Sequence, residues 1–194
     1  MRRVEVVDYD PEWKHEFERL RSVYLHHMGH LNVDVQHVGS TSVPGLAAKP
    51  IIDIDIIVDS AEAVTRVIGA LRELGYIHLG DGGIAGREVF ERASTEVPYC
   101  DSRCAWPGHH LYVCIDGCTS LKNHLLFRDC LRSRPDVARA YGRLKKELAL
   151  RYEYSIDTYV EKKTPFIARI LTMAGLAQED VYGIVLQNTK PADR

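Results

Sequence analysis

Apolar positions recur along the chain with two different periods, and the switches between them mark out the elements. Trp13, Phe17, Leu20, Val23 and Tyr24 fall at helical spacing behind an Asp10-Pro11 start, which predicts a helix running to about residue 27. Residues 33–38 alternate apolar with polar and lead straight into Gly39-Ser40, a strand that ends in a turn. Residues 53–58 predict the next strand, and residues 61–74 a helix with Val64, Val67, Ile68 and Leu71 on one face, stopped by Gly75. Further strands are read at 76–79, 88–92 and 110–115, separated by a Gly-rich loop at 80–86 and a longer loop around 98–108. From 120 to 152 the pattern is helical, broken at Ser133-Arg134-Pro135-Asp136. A last helix is predicted over 157–174, with a kink or break near Thr164 because Pro165 carries no N–H. Beyond Gly175 periodicity is weak, and residues 190–194 read as a mobile tail.

Strands grouped ahead of helices predict an α+β protein: a sheet core over 1–118, a helical annex packed on it over 119–175, and a C-terminal tail over 176–194. A length of 194 residues with 45% hydrophobic content provides for one compact body. The formal net charge of -2 argues against a nucleic-acid partner. No apolar run approaches the roughly 20 residues needed to cross a bilayer. Met1-Arg2-Arg3 is followed by Val4 and Glu5, not by an apolar signal core, so no membrane partner and a cytoplasmic location are expected. The odd number of cysteines points to reduced thiols. Cys100 and Cys104 lie near His109 and His110 in sequence, but the tight Cys-x-x-Cys knuckle of a zinc site is missing.

One segment conflicts with simple patterning. Asp53 and Asp55 sit among Ile51, Ile52, Ile54, Ile56, Ile57 and Val58, where an unpaired carboxylate would cost several kcal/mol or take up a proton. Period-2 alternation places both on one strand face, so something positive should compensate them. Salt bridges to Arg or Lys, or exposure at a strand end, would suffice. The preceding turn, Gly39-Ser40-Thr41, suggests a divalent cation instead, because its backbone N–H groups can face a phosphate. Mg²⁺ commonly joins one or two protein carboxylates to the phosphates of a bound nucleotide.

The residues His37-x-Gly39-Ser40-Thr41-x-Val43-Pro44-Gly45-Leu46-x-Ala48-Lys49-Pro50-x-x-Asp53 resemble the GrpB family, a branch of the nucleotidyltransferase superfamily that includes DNA polymerase beta. The resemblance continues in His109-His110-Leu111-x-Val113, in Phe127-Arg128-Asp129-x-Leu131-Arg132 and in Tyr141-x-x-Leu144-Lys145. It implies a mixed sheet flanked by helices, Gly39, Ser40 and Thr41 against a nucleoside triphosphate, and Asp53 and Asp55 holding Mg²⁺, or Mn²⁺ in its place. The implied reaction transfers a nucleoside monophosphate to a hydroxyl or similar group of a small molecule or protein. The alternative is a non-catalytic nucleotide-binding or accessory module that retains the fold.

The superfamily's third carboxylate, expected on a later strand, has no counterpart in His110-Leu111-Tyr112-Val113. Glu88 and Asp116 are the nearest acids, with Glu88 the candidate metal ligand, and His110 could serve as the acceptor's base. Lys49, Arg87, Lys145, Tyr159 and Lys162 are candidate triphosphate contacts, each weighed against a solvated role. His124 and Asp129 are expected to make hydrogen bonds on a helix surface. The acceptor, the base and the oligomeric state are not specified by these motifs.

Overall fold

The computed structural model describes residues 3–101 and 105–189. Its centre is a five-stranded sheet of β1 (Asp34–Val38), β2 (Ile52–Val58), β3 (Tyr76–His78), β4 (Arg87–Arg92) and β5 (His109–Ile115), in spatial order β1-β2-β5-β4-β3. Only the β2–β5 pair is parallel, so the sheet is mixed. The predicted strands are all present, with ends shifted by a residue or so.

Helices α1 (Glu12–Met28) and α2 (Ala61–Glu73) close one face of the sheet. Asp10 starts α1 by accepting a 2.9 Å hydrogen bond from the Glu12 N–H, and Ser60 caps α2 through the Ala63 N–H at 3.3 Å. Phe17, Leu20 and Tyr24 of α1 and Val67 and Leu71 of α2 meet Ile52, Ile54, Ile56, Leu111 and Val113 of the central strands. Full burial of an isoleucine contributes about 2–3 kcal/mol, so the even-numbered residues of β2 anchor this core.

The opposite face carries the annex, formed by α3 (Thr119–Ser133), α4 (Pro135–Arg151), α5 (Ile156–Met173) and α6 (Gln178–Thr189). Its helices have their own cluster around Phe127, Leu131, Tyr141, Ile170, Leu171 and Ile184. Arg128 ties α3 to the sheet, donating to Gln36 Oε1 at 2.8 Å and to the His37 carbonyl at 3.1 Å.

Two local readings need adjusting. Of the kink or break expected near Thr164 the break does not occur, since helix α5 runs continuously through Pro165. The carbonyl deprived of the Pro165 N–H belongs to Glu161, which is exposed and open to water, while Ile170 and Leu171 hold the following turns in the annex core. Residues 178–189, read as part of a tail, form α6, anchored by Val181 and Ile184 with Leu176 just before it. The read tail at 190–194 lies outside the described residues, as does Cys104. No helix among the described residues is long and apolar enough to cross a membrane.

Candidate functional site

The register of the central strands builds the site. Asp53 pairs with His110 and Asp55 with Tyr112 across the parallel β2–β5 ladder, so all four side chains stand on the annex face, away from Ile52, Ile54 and Ile56. His110 Nδ1 lies 2.9 Å from Asp53 Oδ1, with the imidazole half exposed. Burial pushes the Asp53 carboxyl up, but the His110 hydrogen bond and the neighbouring His110, His124 and Lys49 charges outweigh it and hold the group below the usual carboxylate range.

Asp55 is fully buried, and its partner comes from the annex: His124 Nδ1 lies 2.8 Å from Oδ2 and 3.1 Å from Oδ1. Burial works against a charged His124 ring, yet the Asp55 charge and hydrogen bond prevail and raise its pKa. The surface role expected for His124 is therefore corrected. Ser120, His124, Phe127 and Leu131 recur at helical spacing of four, three and four, which turns His124 inward with the core stripe. That stripe was the available signal.

Gly39 ends β1 beside Asp53, at φ 67° and ψ -169°, a backbone conformation essentially reserved for glycine. A Cβ added there would lie 2.1 Å from Asp53 Oδ2. The glycine thus makes room for the aspartate itself. Ser40 lines the adjoining cavity, whereas the Thr41 hydroxyl points inward, within 3.0 Å of His37 Nε2 and 3.4 Å of the Ile51 carbonyl.

That cavity, about 510 Å³, lies between the sheet and the annex, and Asp53, Tyr112, Arg87, His124 and Lys163 are among the residues that line it. The Arg87 guanidinium packs over the Tyr112 ring, 5.2 Å from its centroid, and its Nε is buried without a hydrogen-bond partner. A second cavity of about 490 Å³ is lined by Lys49, His110, Tyr154 and Ser155, and His110 faces it rather than the first.

Three lysines converge near Asp53. Lys145 is 3% exposed, its ammonium has no hydrogen-bond partner, and it sits over the Tyr141 ring, 4.6 Å from the centroid. Burial, reinforced by Lys163, holds its pKa well below the ordinary lysine value. Burial and Lys49 bring Lys163 down to about 8. Lys49 and Lys163 both approach the buried Tyr159 ring, at 6.0 and 5.3 Å from its centroid. Lys162, by contrast, is exposed and paired with Glu161 at 2.8 Å, because helical rotation turns it outward while its neighbour Lys163 faces the cavity.

The two candidate acids do not join the aspartates. Glu88 stands opposite Val113 and therefore on the α1–α2 face, where it bonds His78 at 2.6 Å. Asp116 is exposed beyond the end of β5, and its N–H donates to the Val58 carbonyl at 2.8 Å. Its neighbour Cys114 is buried on the annex side of that strand. Among the described residues no three His, Cys, Asp or Glu side chains form a group that could hold a metal ion. Two carboxylates side by side nevertheless fit a hard cation that takes one or two protein oxygens and completes its shell from phosphate and water. The orphaned Lys145 ammonium, within reach of the Asp53 charge, fits an anion.

A family model described as GrpB protein matches residues 3–173. The chain belongs to the GrpB family. The UPF0157 protein YqkA of Bacillus subtilis is 37% identical over 170 residues, covering 86% of the chain but only 46% of that protein, so this chain spans about half the length of that relative. The crystal structure of the conserved protein GrpB from Enterococcus faecalis superposes with a TM-score of 0.74 at 35% identity, over 88% of this chain and 96% of that one. Cid1, in a structure concerned with its RNA terminal uridylyl transferase activity, matches with a TM-score of 0.56 at 12% identity, over 86% of this chain and 48% of that one. At that identity the likeness establishes a nucleotidyltransferase-like fold and nothing of Cid1's chemistry.

Proposed function

We propose that this GrpB-family chain is a divalent-metal-dependent nucleotidyltransferase that moves a nucleoside monophosphate from a nucleoside triphosphate to a hydroxyl or similar group of a small molecule or protein. One observation carries the reading: paired carboxylates, Asp53 and Asp55, share a strand face beside the Gly39 turn, and the Asp53 charge reaches the buried, unpartnered Lys145 ammonium. Asp53 and Asp55 would hold Mg²⁺ or Mn²⁺, which when bound neutralises and polarises phosphate oxygens.

The protein's own groups supply the rest. Lys145 and Lys163 would meet phosphate oxygens, and an entering anion favours the charged ammonium that burial disfavours in its absence. Ser40 and the backbone of the Gly39 turn would set the phosphate chain against Asp53. With Nδ1 engaged by Asp53, His110 keeps Nε2 available to take the acceptor's proton, since a ring that donates from one nitrogen accepts at the other.

The test is release of pyrophosphate from nucleoside triphosphate with Mg²⁺ or Mn²⁺ across a panel of hydroxyl- and amine-bearing metabolites. Asp53→Asn combined with Asp55→Asn should remain folded and lose metal-dependent nucleotide affinity by about thirtyfold or more, a cost of about 2 kcal/mol. Unchanged affinity in the folded double variant rejects the assignment. A second reading, a nucleotide-binding module without turnover, is favoured by the absence of a third acid beside Asp53 and Asp55 among the described residues. Metal-dependent binding with no pyrophosphate from any acceptor would select it.

A further inference from the structure

The turn on which the nucleotide reading depends lies at the outer edge of the sheet. β1 has a neighbouring strand on one side only, so no further strand holds the backbone that leads into Gly39-Ser40. The turn is closed on itself: Ser42 Oγ donates to the Gly39 carbonyl at 2.7 Å, and the Val43 N–H to the Ser40 carbonyl at 3.2 Å. Helix α3 grips both of its ends. Arg128 Nη1 donates to the His37 carbonyl at 3.1 Å, two residues ahead of the glycine. Arg132 donates to the Ser42 carbonyl, three residues after it, from Nε at 3.1 Å and from Nη2 at 2.9 Å.

The same helix reaches the second aspartate. His124, Arg128 and Arg132 follow one another at intervals of four residues on one helix face, and they hold in turn the Asp55 carboxylate, the entry to the turn and its exit. Two guanidiniums at this spacing repel, and burial together with the Arg128 charge holds the Arg132 group below the ordinary arginine value. Asp129 offsets only part of that repulsion, taking Arg128 Nε at 2.7 Å and standing 4.0 Å from Arg132 Nη1. Helix α3 accepts the unfavourable pair, and both backbone carbonyls receive charge-assisted donors. Neither arginine lines the cavity that contains Asp53 and Ser40. Both line a separate cleft of about 700 Å³ behind the turn. Their grip therefore bears on a bound phosphate through the turn and not by contact.

We propose that Arg128 and Arg132 are positioning residues for phosphate binding: they clamp both ends of the Gly39-Ser40 turn to the helix that holds Asp55, and so fix the turn relative to the paired carboxylates. The proposal rests on the nucleotide reading of the same site and adds the device that sets its geometry. With one grip removed the turn stays attached to α3 at a single end, and the missing order has to be imposed when the phosphate binds. A lysine does not substitute, because its ammonium lacks the planar fork that places two N–H groups on one carbonyl.

The test is titration calorimetry of the whole chain with Mg²⁺ and the non-hydrolysable α,β-methylene analogues of ATP, GTP, CTP and UTP, with tripolyphosphate as the base-free probe and melting midpoints taken on the same preparations. Arg132 is the residue to change, since its side chain is 41% exposed and its replacement leaves the annex core intact. In folded Arg132→Ala, affinity for the analogue that binds most tightly should fall about tenfold, and tripolyphosphate affinity by a similar factor. Arg132→Lys, which keeps the charge and loses the fork, should bind as weakly as Arg132→Ala. Unchanged affinity in folded Arg132→Ala, with the loss confined to the melting midpoint, makes the arginine merely structural and overturns the positioning role. Full affinity in Arg132→Lys overturns it as well, by reducing the effect to charge, and so does a loss that tripolyphosphate does not share, by placing the effect at the base. Each of these leaves the nucleotide reading standing. Failure of every analogue and of tripolyphosphate to bind the unmodified chain overturns both.

Discussion

The two faces of β2 are built from alternate residues of one heptapeptide, and they answer to opposite requirements. Ile52, Ile54 and Ile56 enter a sealed core against α1 and α2, where every added apolar contact stabilises the fold. Asp53 and Asp55, one residue out of phase, face the annex with two histidines, an arginine and nearby lysines. Polar groups on that face are hydrogen-bonded: Glu88 to His78, and Arg92 to the Trp106 and Pro107 carbonyls. The annex face gathers charges that would each be costly alone and leaves one of them, Lys145, unpartnered. A strand's period of two lets neighbouring residues be selected for stability and for chemistry almost independently.

The largest effect expected from breaking this arrangement falls on the sealed face. Ile54→Ala should destabilise the protein by about 4 kcal/mol, because Ile54 is fully buried and the surrounding strands can relax only in part. Urea denaturation measures the loss, and nucleotide affinity of the folded protein should change by less than about twofold. A comparable loss of affinity would show that the two faces are coupled.

Acid should also act first through the sealed face. Burial brings His37 down from 6.5 to about 4, where its ring stacks on Phe17 at 4.6 Å between centroids. Between these pH values the unfolded chain binds a proton that the folded chain refuses. The contribution is therefore complete above pH 6.5 and is lost as pH falls toward 4, amounting to roughly 3 kcal/mol from this residue. His109, brought down to about 3 by burial, acts in the same direction. Denaturation midpoints measured across that interval should fall with pH. In His37→Phe the fall should be smaller, and an equal fall would reassign the acid sensitivity to other groups.

The smallest effect has the opposite sign. Lys145→Met should stabilise the ligand-free protein by about 1 kcal/mol, since it replaces a buried unpartnered ammonium by an apolar chain of similar length. The same variant should lose tripolyphosphate affinity. Thermal melting and calorimetry on one preparation check both halves, and destabilisation with retained affinity would make Lys145 a structural residue through its contact with Tyr141.

Much of this contrast is visible in local pattern. The strands, the helices α1 and α2 and the annex helices α3 to α5 follow from apolar spacing, capping residues and turn chemistry, and the shared face of Asp53, Asp55, His110 and Tyr112 follows from alternation once β2 and β5 are neighbours. Helix α6 was not legible because its buried residues, Val181 and Ile184, form too short a stripe to stand out from its surroundings. Lys163 was displaced by its neighbour Lys162, since adjacent residues differ by about 100° around a helix and only packing says which points inward.

By itself the sequence determined which residues could not be satisfied locally: two acids in an oily strand, a glycine ahead of Ser40, a proline inside a helix. Only the tertiary structure decided what satisfies them. Pairing β2 with β5 brought His110 to Asp53, and docking α3 on the sheet brought His124 to Asp55, across separations of 57 and 69 residues. Antiparallel pairing of β4 sent Glu88 to the other face. The physical reason is that backbone period and turn preference act over a few residues, whereas the partner of a buried charge is chosen by whichever distant element closes over it and excludes water.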